Sequence, residues 1–289
     1  MLNKKSLIKS IMNLVRIYMS TAIAFSALAG CIIYTHSLNW SCAAVFAGVL
    51  LLAGAASALN QYQERHLDAL MTRTQNRTLP SNQMIPATAI IYFLVLGFAG
   101  TVVLYLFTTP ITAILGLFNI FWYNAVYTPL KRKTAFVVII GAVTGAIPPM
   151  MGWTAAGGSM LSPEILFIAA FMFFWQIPHF FLLLLRYKED YSKAGFRSVS
   201  AFMSDKQVEF IVFTWILGTS VSTLFFPLYQ IVTGTFLISS IVLLNILLIS
   251  FFYRTTFNKN IAFNLSRAFH SLYLYQVLIL VILIVQGLK

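Results

Sequence analysis

Residues 41–68 have the sequence SCAAVFAGVLLLAGAASALNQYQERHLD, in which an uncharged apolar run continues directly into a polar segment. The apolar part, residues 41–59, is long enough to cross a bilayer core of about 30 Å as a helix that rises about 1.5 Å per residue. The polar part contains an amide, Asn60, and two carboxylates, Glu64 and Asp68. This stretch therefore predicts a membrane-spanning helix that extends into a cluster of polar groups.

Eight further apolar stretches have a similar length. They cover residues 17–35, 84–107, 110–126, 135–153, 163–185, 209–230, 232–252 and 269–287. Only 9% of the residues are charged and 60% are apolar, whereas an ordinary soluble domain is about 25% charged. A water-soluble globule is excluded, and we expect an all-α, polytopic bundle of about nine transmembrane helices around a central cavity. We also expect one membrane-embedded domain over residues 1–289, with its first span retained and not cleaved as a signal peptide.

The positive charges are sorted between alternate connections of the chain. Of 19 Lys and Arg residues, all except Lys289 lie in the N-terminal segment or in the connections after the second, fourth, sixth and eighth spans. The positive-inside rule then predicts a multi-pass protein of the cytoplasmic membrane, with a cytoplasmic N-terminus and an outside C-terminus. We interpret the net charge of +12 as this topology signal, and we predict no nucleic-acid partner.

The two cysteines, Cys31 and Cys42, fall within or beside the first two apolar stretches. We interpret them as small buried apolar residues, and we predict neither a disulfide nor a zinc site.

Six of the seven acidic residues fall in two segments on the charged side, and the first segment has a regular spacing. Asn60, Glu64 and Asp68 are four residues apart, so they share one face of a helix that extends the second span. Mg²⁺ prefers oxygen ligands and is usually held by one or two carboxylates together with substrate phosphates. Arg73 and Arg77 follow, and guanidinium groups match phosphate oxygens. The segment indicates a metal–diphosphate site.

A salt-bridge network at a solvated helix end is the alternative interpretation of these charges, and it is the commoner arrangement. The second acidic segment favours the catalytic interpretation, because Glu189 and Asp190 lie among cations on the same side of the membrane. Two such clusters could close over Mg²⁺ and a diphosphate. That arrangement would neutralise the leaving group as an allylic carbon–oxygen bond breaks.

A third polar segment, residues 127–134, lies on the same side between the fourth and fifth spans. We expect Lys131 and Arg132 to contact the diphosphate and Lys133 to act as a membrane anchor. In the next span, Gly141 and Gly145 permit close helix packing, and we expect the pair Pro148-Pro149 to interrupt the helix.

Several motifs together resemble one family. They are Asn60-x3-Glu64-x3-Asp68-x2-Met71-x-Arg73-Thr74-x2-Arg77, Tyr127-Thr-Pro-Leu-Lys131-Arg132, Gly145-Ala-Ile-Pro-Pro149-x2-Gly152-Trp153, Trp175-Gln-Ile-Pro-His179-Phe180 and Asp190-Tyr191-x2-Ala194-Gly195. The first motif resembles the UbiA superfamily of intramembrane prenyltransferases. The Trp-Gln-Ile-Pro-His segment is more specific and resembles its haem-modifying branch, the protoheme IX farnesyltransferases or haem O synthases. The similarity runs from about residue 17 to 287, with Glu64 in place of the usual aspartate.

That resemblance implies transfer of a farnesyl group from farnesyl diphosphate to a vinyl group of haem b, with Mg²⁺ as the cofactor, to give haem O. It implies metal binding by Asn60, Glu64, Asp68 and Asp190, with the three carboxylates as the catalytic groups. It implies diphosphate binding by Asn60, Arg73, Arg77, Lys131 and Arg132. It also directs attention to Trp175, Gln176 and His179 as contacts of the haem acceptor.

Other interpretations stay open from the sequence. The acceptor could be an aromatic quinone precursor in place of haem. A transporter is a different class, but it would place ionisable residues in mid-span along a path. His179 could ligate haem iron, or it could be a histidine that hydrogen-bonds a neighbouring helix. Besides the two substrates and membrane lipid, a downstream enzyme that oxidises haem O is a further candidate partner.

Overall fold

The computed structural model describes residues 4–134, 136–196, 202–258 and 263–289, and within these ranges the chain is helical without a strand. The helices in chain order are α1 Lys4–Leu14, α2 Ile17–Thr35, α3 Trp40–Asp68, α4 Pro86–Phe107, α5 Pro110–Leu130, α6 Val137–Ala155, α7 Pro163–Arg186, α8 Lys188–Lys193, α9 Asp205–Leu228, α10 Thr235–Phe257 and α11 Leu265–Gly287. Prolines begin α4, α5 and α7, where the missing N–H costs nothing.

Among the described residues, nine helices are long and apolar enough to cross a membrane, and these are α2 to α7 and α9 to α11. The prediction of an all-α, nine-span membrane bundle is confirmed. The helix of the second span continues through the polar motif to Asp68, as expected from the spacing of its acids. The short helices α1 and α8 lie beside the spans. We call the end of the bundle that carries α1 and the α3–α4, α5–α6 and α7–α9 connections the charged face.

Close packing of α2 on α6 brings small residues and prolines together. A Cβ atom added to Gly30 would overlap the backbone of Pro149, and one added to Gly152 would overlap the backbone of Ala27. The expectation that Pro148 and Pro149 interrupt this span is wrong, because α6 is helical throughout residues 137–155. Neighbouring helices make a proline inside a membrane span tolerable. Both prolines are buried, and the α2 backbone packs against Pro149.

The prediction that the cysteines form no disulfide is also wrong, because Cys31 and Cys42 are bonded to each other. Residues 36–39 connect α2 to α3 in a tight hairpin, which brings the two Cα atoms to 5.5 Å, within the usual range for a disulfide. Both side chains are fully buried, as expected. Sequence separation alone could not reveal that the hairpin aligns them.

The interior is divided into two main apolar clusters and a cavity. One cluster is formed mostly by α7, α9, α10 and α11, and includes Phe171, Phe226 and Phe252. The other is formed mostly by α2, α3, α5 and α6, and includes Leu52 and Met151. The cavity is lined by α2, α3, α5, α6 and α7 and by residues of the charged face.

Candidate active site

Two helices line the cavity from its apolar end to its charged end. On α3, the lining residues are Val49, Leu52, Ala53, Ala56, Ser57, Glu64 and Asp68, and on α5 with its following turn they are Gly116, Asn119, Ile120, Tyr123, Tyr127 and Lys131. These positions recur at the three- and four-residue spacing of a helix face. The chain therefore builds one continuous cavity wall that changes from apolar to ionic towards the charged face.

Glu64 lies in a buried ion pair at the charged end. Lys131 Nζ donates to Glu64 Oε1 at 3.0 Å and to Oε2 at 3.2 Å, and the Glu64 side chain is only 7% exposed. Asn60 Nδ2 donates to Glu64 Oε2 at 3.0 Å and to Thr128 Oγ1 at 3.1 Å. Burial opposes the charge on Lys131, but the Glu64 carboxylate raises the pKa of the lysine above its ordinary value. Lys131 is therefore a cation held at the cavity wall.

Asp68 forms the second buried pair, one helical turn further along α3. Arg77 Nη1 lies 2.8 Å from Asp68 Oδ1 and 2.7 Å from Oδ2. The Asp68 side chain is 1% exposed and that of Arg77 is 23% exposed. Burial, together with repulsion from Arg16, lowers the pKa of Arg77 to about 10, which still leaves it charged at neutral pH. Glu64 thus meets a cation from the third polar segment, whereas Asp68 meets an arginine of its own motif.

Arg16 is a site residue that the sequence reasoning missed. It adopts the left-handed backbone conformation, with φ of 46°, at the break between α1 and α2. Its Nη2 donates to Asn60 Oδ1 at 3.0 Å, and its side chain lines the cavity. Burial opposes its charge, but Tyr123, Glu64 and Asp68 keep its pKa above the ordinary value. The available signal is its place directly before the first apolar run, where the charge sorting counts it only as part of the topology pattern.

A π-helical turn, Trp122–Tyr127, interrupts α5 beside the ion pairs. Such turns occur frequently at functional sites because they redirect side chains. Tyr123 and Tyr127 both line the cavity, with stacked rings 5.6 Å apart, and Lys131 Nζ lies 4.7 Å from the centre of the Tyr127 ring. Sequence reasoning included Tyr127 in a motif but assigned no role to Tyr123.

Asp190 contacts the first motif through the backbone. Its carboxylate accepts hydrogen bonds from the backbone N–H groups of Thr72 and Arg73, each at 3.0 Å. These hydrogen bonds lower the pKa of Asp190 below its ordinary value, and the one from Arg73 has the largest effect. Asp190 is 7% exposed and does not line the cavity, although the neighbouring Tyr191 does. The two acidic segments lie together at the charged face, as predicted.

The other predicted diphosphate contacts separate into two groups. Arg73 and Arg77 line the cavity with Lys131, and Arg73 lies over the ring of Tyr187 at 4.7 Å. Asn60 is fully buried behind Glu64 and does not line the cavity. Arg132 is exposed and lies outside the cavity lining. Its contact with a diphosphate stays a prediction.

The donor set fits a magnesium ion that is held together with a phosphate. In the described part of the chain, no three His, Cys, Asp or Glu side chains converge as a metal-binding group. Glu64 and Asp68 nevertheless offer two buried carboxylates on one cavity wall. One or two carboxylates are what Mg²⁺ usually takes from a protein when phosphate oxygens supply other ligands.

The predicted acceptor residues lie on α7, across the cavity from α3. Gln176 and His179 line the cavity, and Gly145 leaves the room for Gln176, whose Oε1 would lie 2.9 Å from a Cβ added there. Trp175 does not line the cavity. It stacks on His179 with ring centres 5.3 Å apart and donates from Nε1 to Leu272 O at 3.0 Å. His179 Nδ1 is buried, and no hydrogen-bond partner for it lies among the residues that the structure describes.

Buried carboxylates and phosphate-matching cations lie at one end of a membrane cavity whose other end is apolar, which suits a ligand with a diphosphate head and an apolar tail. The class that this fold and site define is an intramembrane prenyltransferase. Residues 18–273 match the model of the UbiA prenyltransferase family, and the chain belongs to this family. The chain is 41% identical to the protoheme IX farnesyltransferase of Geobacter sulfurreducens over 67% of its own length and 70% of that relative. The resemblance inferred from the sequence motifs is confirmed at the level of the haem-modifying branch.

Solved structures match the same fold over nearly the whole chain. A digeranylgeranylglyceryl phosphate synthase superposes with a TM-score of 0.79 at 15% identity, over 98% of this chain and 99% of that one. A UbiA homologue from Archaeoglobus fulgidus bound to GPP and Mg²⁺ superposes with a TM-score of 0.66 at 12% identity, over 96% and 98% of the two chains. At such identities the likeness concerns the fold.

Proposed function

We propose that the protein transfers the farnesyl group of farnesyl diphosphate to a vinyl group of haem b and so forms haem O. The observation that supports this best is the pairing of Glu64 with Lys131 and of Asp68 with Arg77 at the charged end of a cavity whose opposite end is apolar. Two relatives, at 41% and 36% identity, are named for this reaction. We treat residues 1–289 as one catalytic domain.

The cations of the site bind and neutralise the diphosphate. One end of the cavity is lined by four cations, Arg16, Arg73, Arg77 and Lys131. A guanidinium group can donate to two phosphate oxygens at once. When the allylic carbon–oxygen bond breaks, the leaving diphosphate takes the electron pair, and fixed cations stabilise that developing charge. Glu64 and Asp68 would hold Mg²⁺, which when bound supplies further charge neutralisation to the same oxygens. Asp190 orders the loop that presents Arg73.

The α7 side of the cavity holds the porphyrin. His179 is placed to meet haem through Nε2, since Nδ1 is enclosed, and Trp175 fixes the ring by stacking. Gln176 extends into the cavity beside it. We propose that these residues orient the vinyl group towards the allylic cation, while the apolar walls keep water from the cation until the vinyl π electrons have formed the carbon–carbon bond. The cation left on the haem side chain then takes a hydroxyl group from water, with release of a proton, which gives haem O.

We further propose that the charged face is cytoplasmic and that the protein resides in the cytoplasmic membrane. The supporting observation is the distribution of Lys and Arg, which the positive-inside rule relates to orientation. An enzyme that oxidises haem O is the expected consumer of the product.

Haem analysis tests the proposal. Purified protein in lipid nanodiscs is incubated with haem b, farnesyl diphosphate and Mg²⁺, and the haem is extracted and identified by mass. We expect a farnesylated, hydrated haem whose formation stops when Mg²⁺ is chelated. Prenylation of an aromatic quinone precursor with unchanged haem would replace haem as the acceptor. No prenylated product with either acceptor would overturn the enzymatic assignment.

A further inference from the structure

Three residues from three helices meet at the apolar end of the cavity, beside Val49. Leu52 of α3, Gly116 of α5 and Met151 of α6 all line the cavity, and Leu52 and Met151 are 4% and 1% exposed. A Cβ atom added to Gly116 would lie 2.5 Å from Leu52 Cδ1 and 3.0 Å from Met151 Cε. The side chains of Leu52 and Met151 therefore pack closely against Gly116. Leu104 Cδ1 lies behind them, 3.3 Å from the added Cβ atom.

We propose that Leu52, Gly116 and Met151 form the floor of the prenyl-tail branch of the cavity and set the length of the prenyl chain that the protein accepts. This inference rests on the proposed function. It adds the residues that select among prenyl donors of different chain length. The charged end of the site cannot make that selection, because every donor has the same diphosphate group.

The branch is assigned to the tail because it is continuous with the diphosphate end. The wall from Asp68 down to Val49 follows one face of α3, and the α5 wall from Lys131 to Gly116 follows it on the other side. A molecule whose diphosphate meets Lys131 and Arg77 places its apolar chain along these walls. The acceptor residues Gln176 and His179 lie on α7, which contributes no residue to the floor.

The depth of the branch matches the chain. Leu52 precedes Glu64 by twelve residues, so a helical rise of about 1.5 Å per residue separates them by about 18 Å. An extended chain advances about 1.2 Å per bond, which gives a farnesyl chain about 13 Å and leaves the remainder for the diphosphate. One isoprene unit adds about 5 Å on the same basis, close to the helical pitch of about 5.4 Å. Moving the floor by one helical turn would therefore change the preferred donor by one unit.

Two substitutions move the floor in opposite directions. Gly116→Ala adds a methyl group and displaces the flexible ends of Leu52 and Met151 into the branch, which shortens it. Met151→Ala removes the side chain from the floor and deepens it. Because one methylene in an apolar pocket changes discrimination by about tenfold or more, we expect changes of about tenfold in the ratios of kcat/KM between donors. Gly116→Ala should favour geranyl diphosphate over farnesyl diphosphate, and Met151→Ala should favour geranylgeranyl diphosphate.

The matched control is Gly97→Ala. Gly97 is also a glycine within a span, but an added Cβ would meet only Ala55 Cβ at an ordinary 3.8 Å, and Gly97 does not line the cavity. The variants are compared in nanodiscs with geranyl, farnesyl and geranylgeranyl diphosphates competing for haem b. Non-reactive thiolo-diphosphates of the three lengths give binding constants as a second readout, and retained binding reports folding.

The outcomes separate this inference from the proposed function. If farnesyl transfer to haem persists in both variants with the wild-type donor preference, the floor assignment is overturned while the function stands. A changed affinity for haem with unchanged donor preference would likewise overturn it, because the branch would then hold the acceptor. If the wild-type protein transfers no prenyl group to haem, the proposed function fails, and the binding constants for the three analogues still test the floor.

Discussion

The two acidic segments of the charged face differ in how their carboxylates are balanced. In the first segment, Glu64 and Asp68 line the cavity and are paired with the side chains of Lys131 and Arg77. In the second segment, Asp190 does not line the cavity, and its carboxylate accepts hydrogen bonds from two backbone N–H groups, each at 3.0 Å. A long cationic side chain can move to a ligand, whereas a backbone N–H group in a docked loop cannot.

This difference assigns different work to residues of the same type. The first pair of acids can exchange their cations for a metal, while the freed cations bind a diphosphate. The second acid holds the loop that carries Arg73 and keeps it near α7. Substitutions that remove one carboxylate at a time should therefore give distinguishable kinetic effects.

Asp68→Asn should produce the largest effect. The change removes a buried charge that balances Arg77 and would hold the metal, so we expect kcat/KM to fall by about 100-fold or more. Haem product formation at several Mg²⁺ concentrations measures this. Asp205→Asn is the matched control, because Asp205 pairs with Lys188 at the surface with 55% of its side chain exposed. Full activity of Asp68→Asn in a folded protein would remove Asp68 from the site.

Lys131→Gln should give the next largest effect, with kcat/KM about 10- to 100-fold lower, since a cavity cation is lost and Glu64 is left unpaired. The adjacent Arg132→Gln provides the contrast. Arg132 is exposed and lies outside the cavity lining, so a change within about twofold is expected. Equal losses in the two variants would show that the diphosphate extends beyond the cavity mouth and would support the sequence prediction for Arg132.

Asp190→Asn should weaken diphosphate binding more than chemistry. The asparagine oxygen can accept a hydrogen bond from one of the two backbone N–H groups, but the asparagine NH₂ group would face the other N–H, and two donors cannot pair. The loop around Thr72 therefore loses order. We expect KM for farnesyl diphosphate to rise about tenfold with a smaller change in kcat. Mg²⁺ titrations at saturating diphosphate discriminate the two roles. A loss of Mg²⁺ affinity as large as in Asp68→Asn would identify Asp190 as a metal ligand.

Acid pH should produce the smallest effect, and it should be confined to the same loop. The pKa of Asp190 is lowered in the folded protein, so the docking of the loop is at full strength above the pKa of a free aspartate, about 3.9. It weakens as the pH falls through the lower folded value. Hydrogen exchange of residues 70–77 in nanodiscs at decreasing pH should show early opening. Asp190→Asn should abolish that pH dependence, and its persistence would show that another group titrates.

The fold was largely predictable from the sequence because each span is encoded locally. Apolar runs of sufficient length and alternating charged connections identify helices and their direction without knowledge of tertiary contacts. Features that depend on the packing of two helices were missed. The Cys31–Cys42 bond requires the geometry of the α2–α3 hairpin, and the continuity of α6 through Pro148 depends on its neighbours.

The site was predictable to the extent that its residues are arranged by a single helix. The four-residue spacing of Asn60, Glu64 and Asp68 identified the first motif, and motif order indicated Lys131. Spacing gave no information on Arg16, which reaches Asn60 from 44 residues away through a left-handed break. The spacing also gave no information on the hydrogen-bond partners of Asp190, because a backbone N–H group has no sequence signature.

The Cys31–Cys42 bond lies at the end of the bundle opposite the charged face, where α2 turns into α3. Disulfides persist in oxidising compartments and are rare where thiols are kept reduced. The covalent closure of this hairpin therefore depends on delivery of its tip to the oxidising side of the membrane. Thiol chemistry would thus test the proposed orientation of the chain independently of its lysines and arginines.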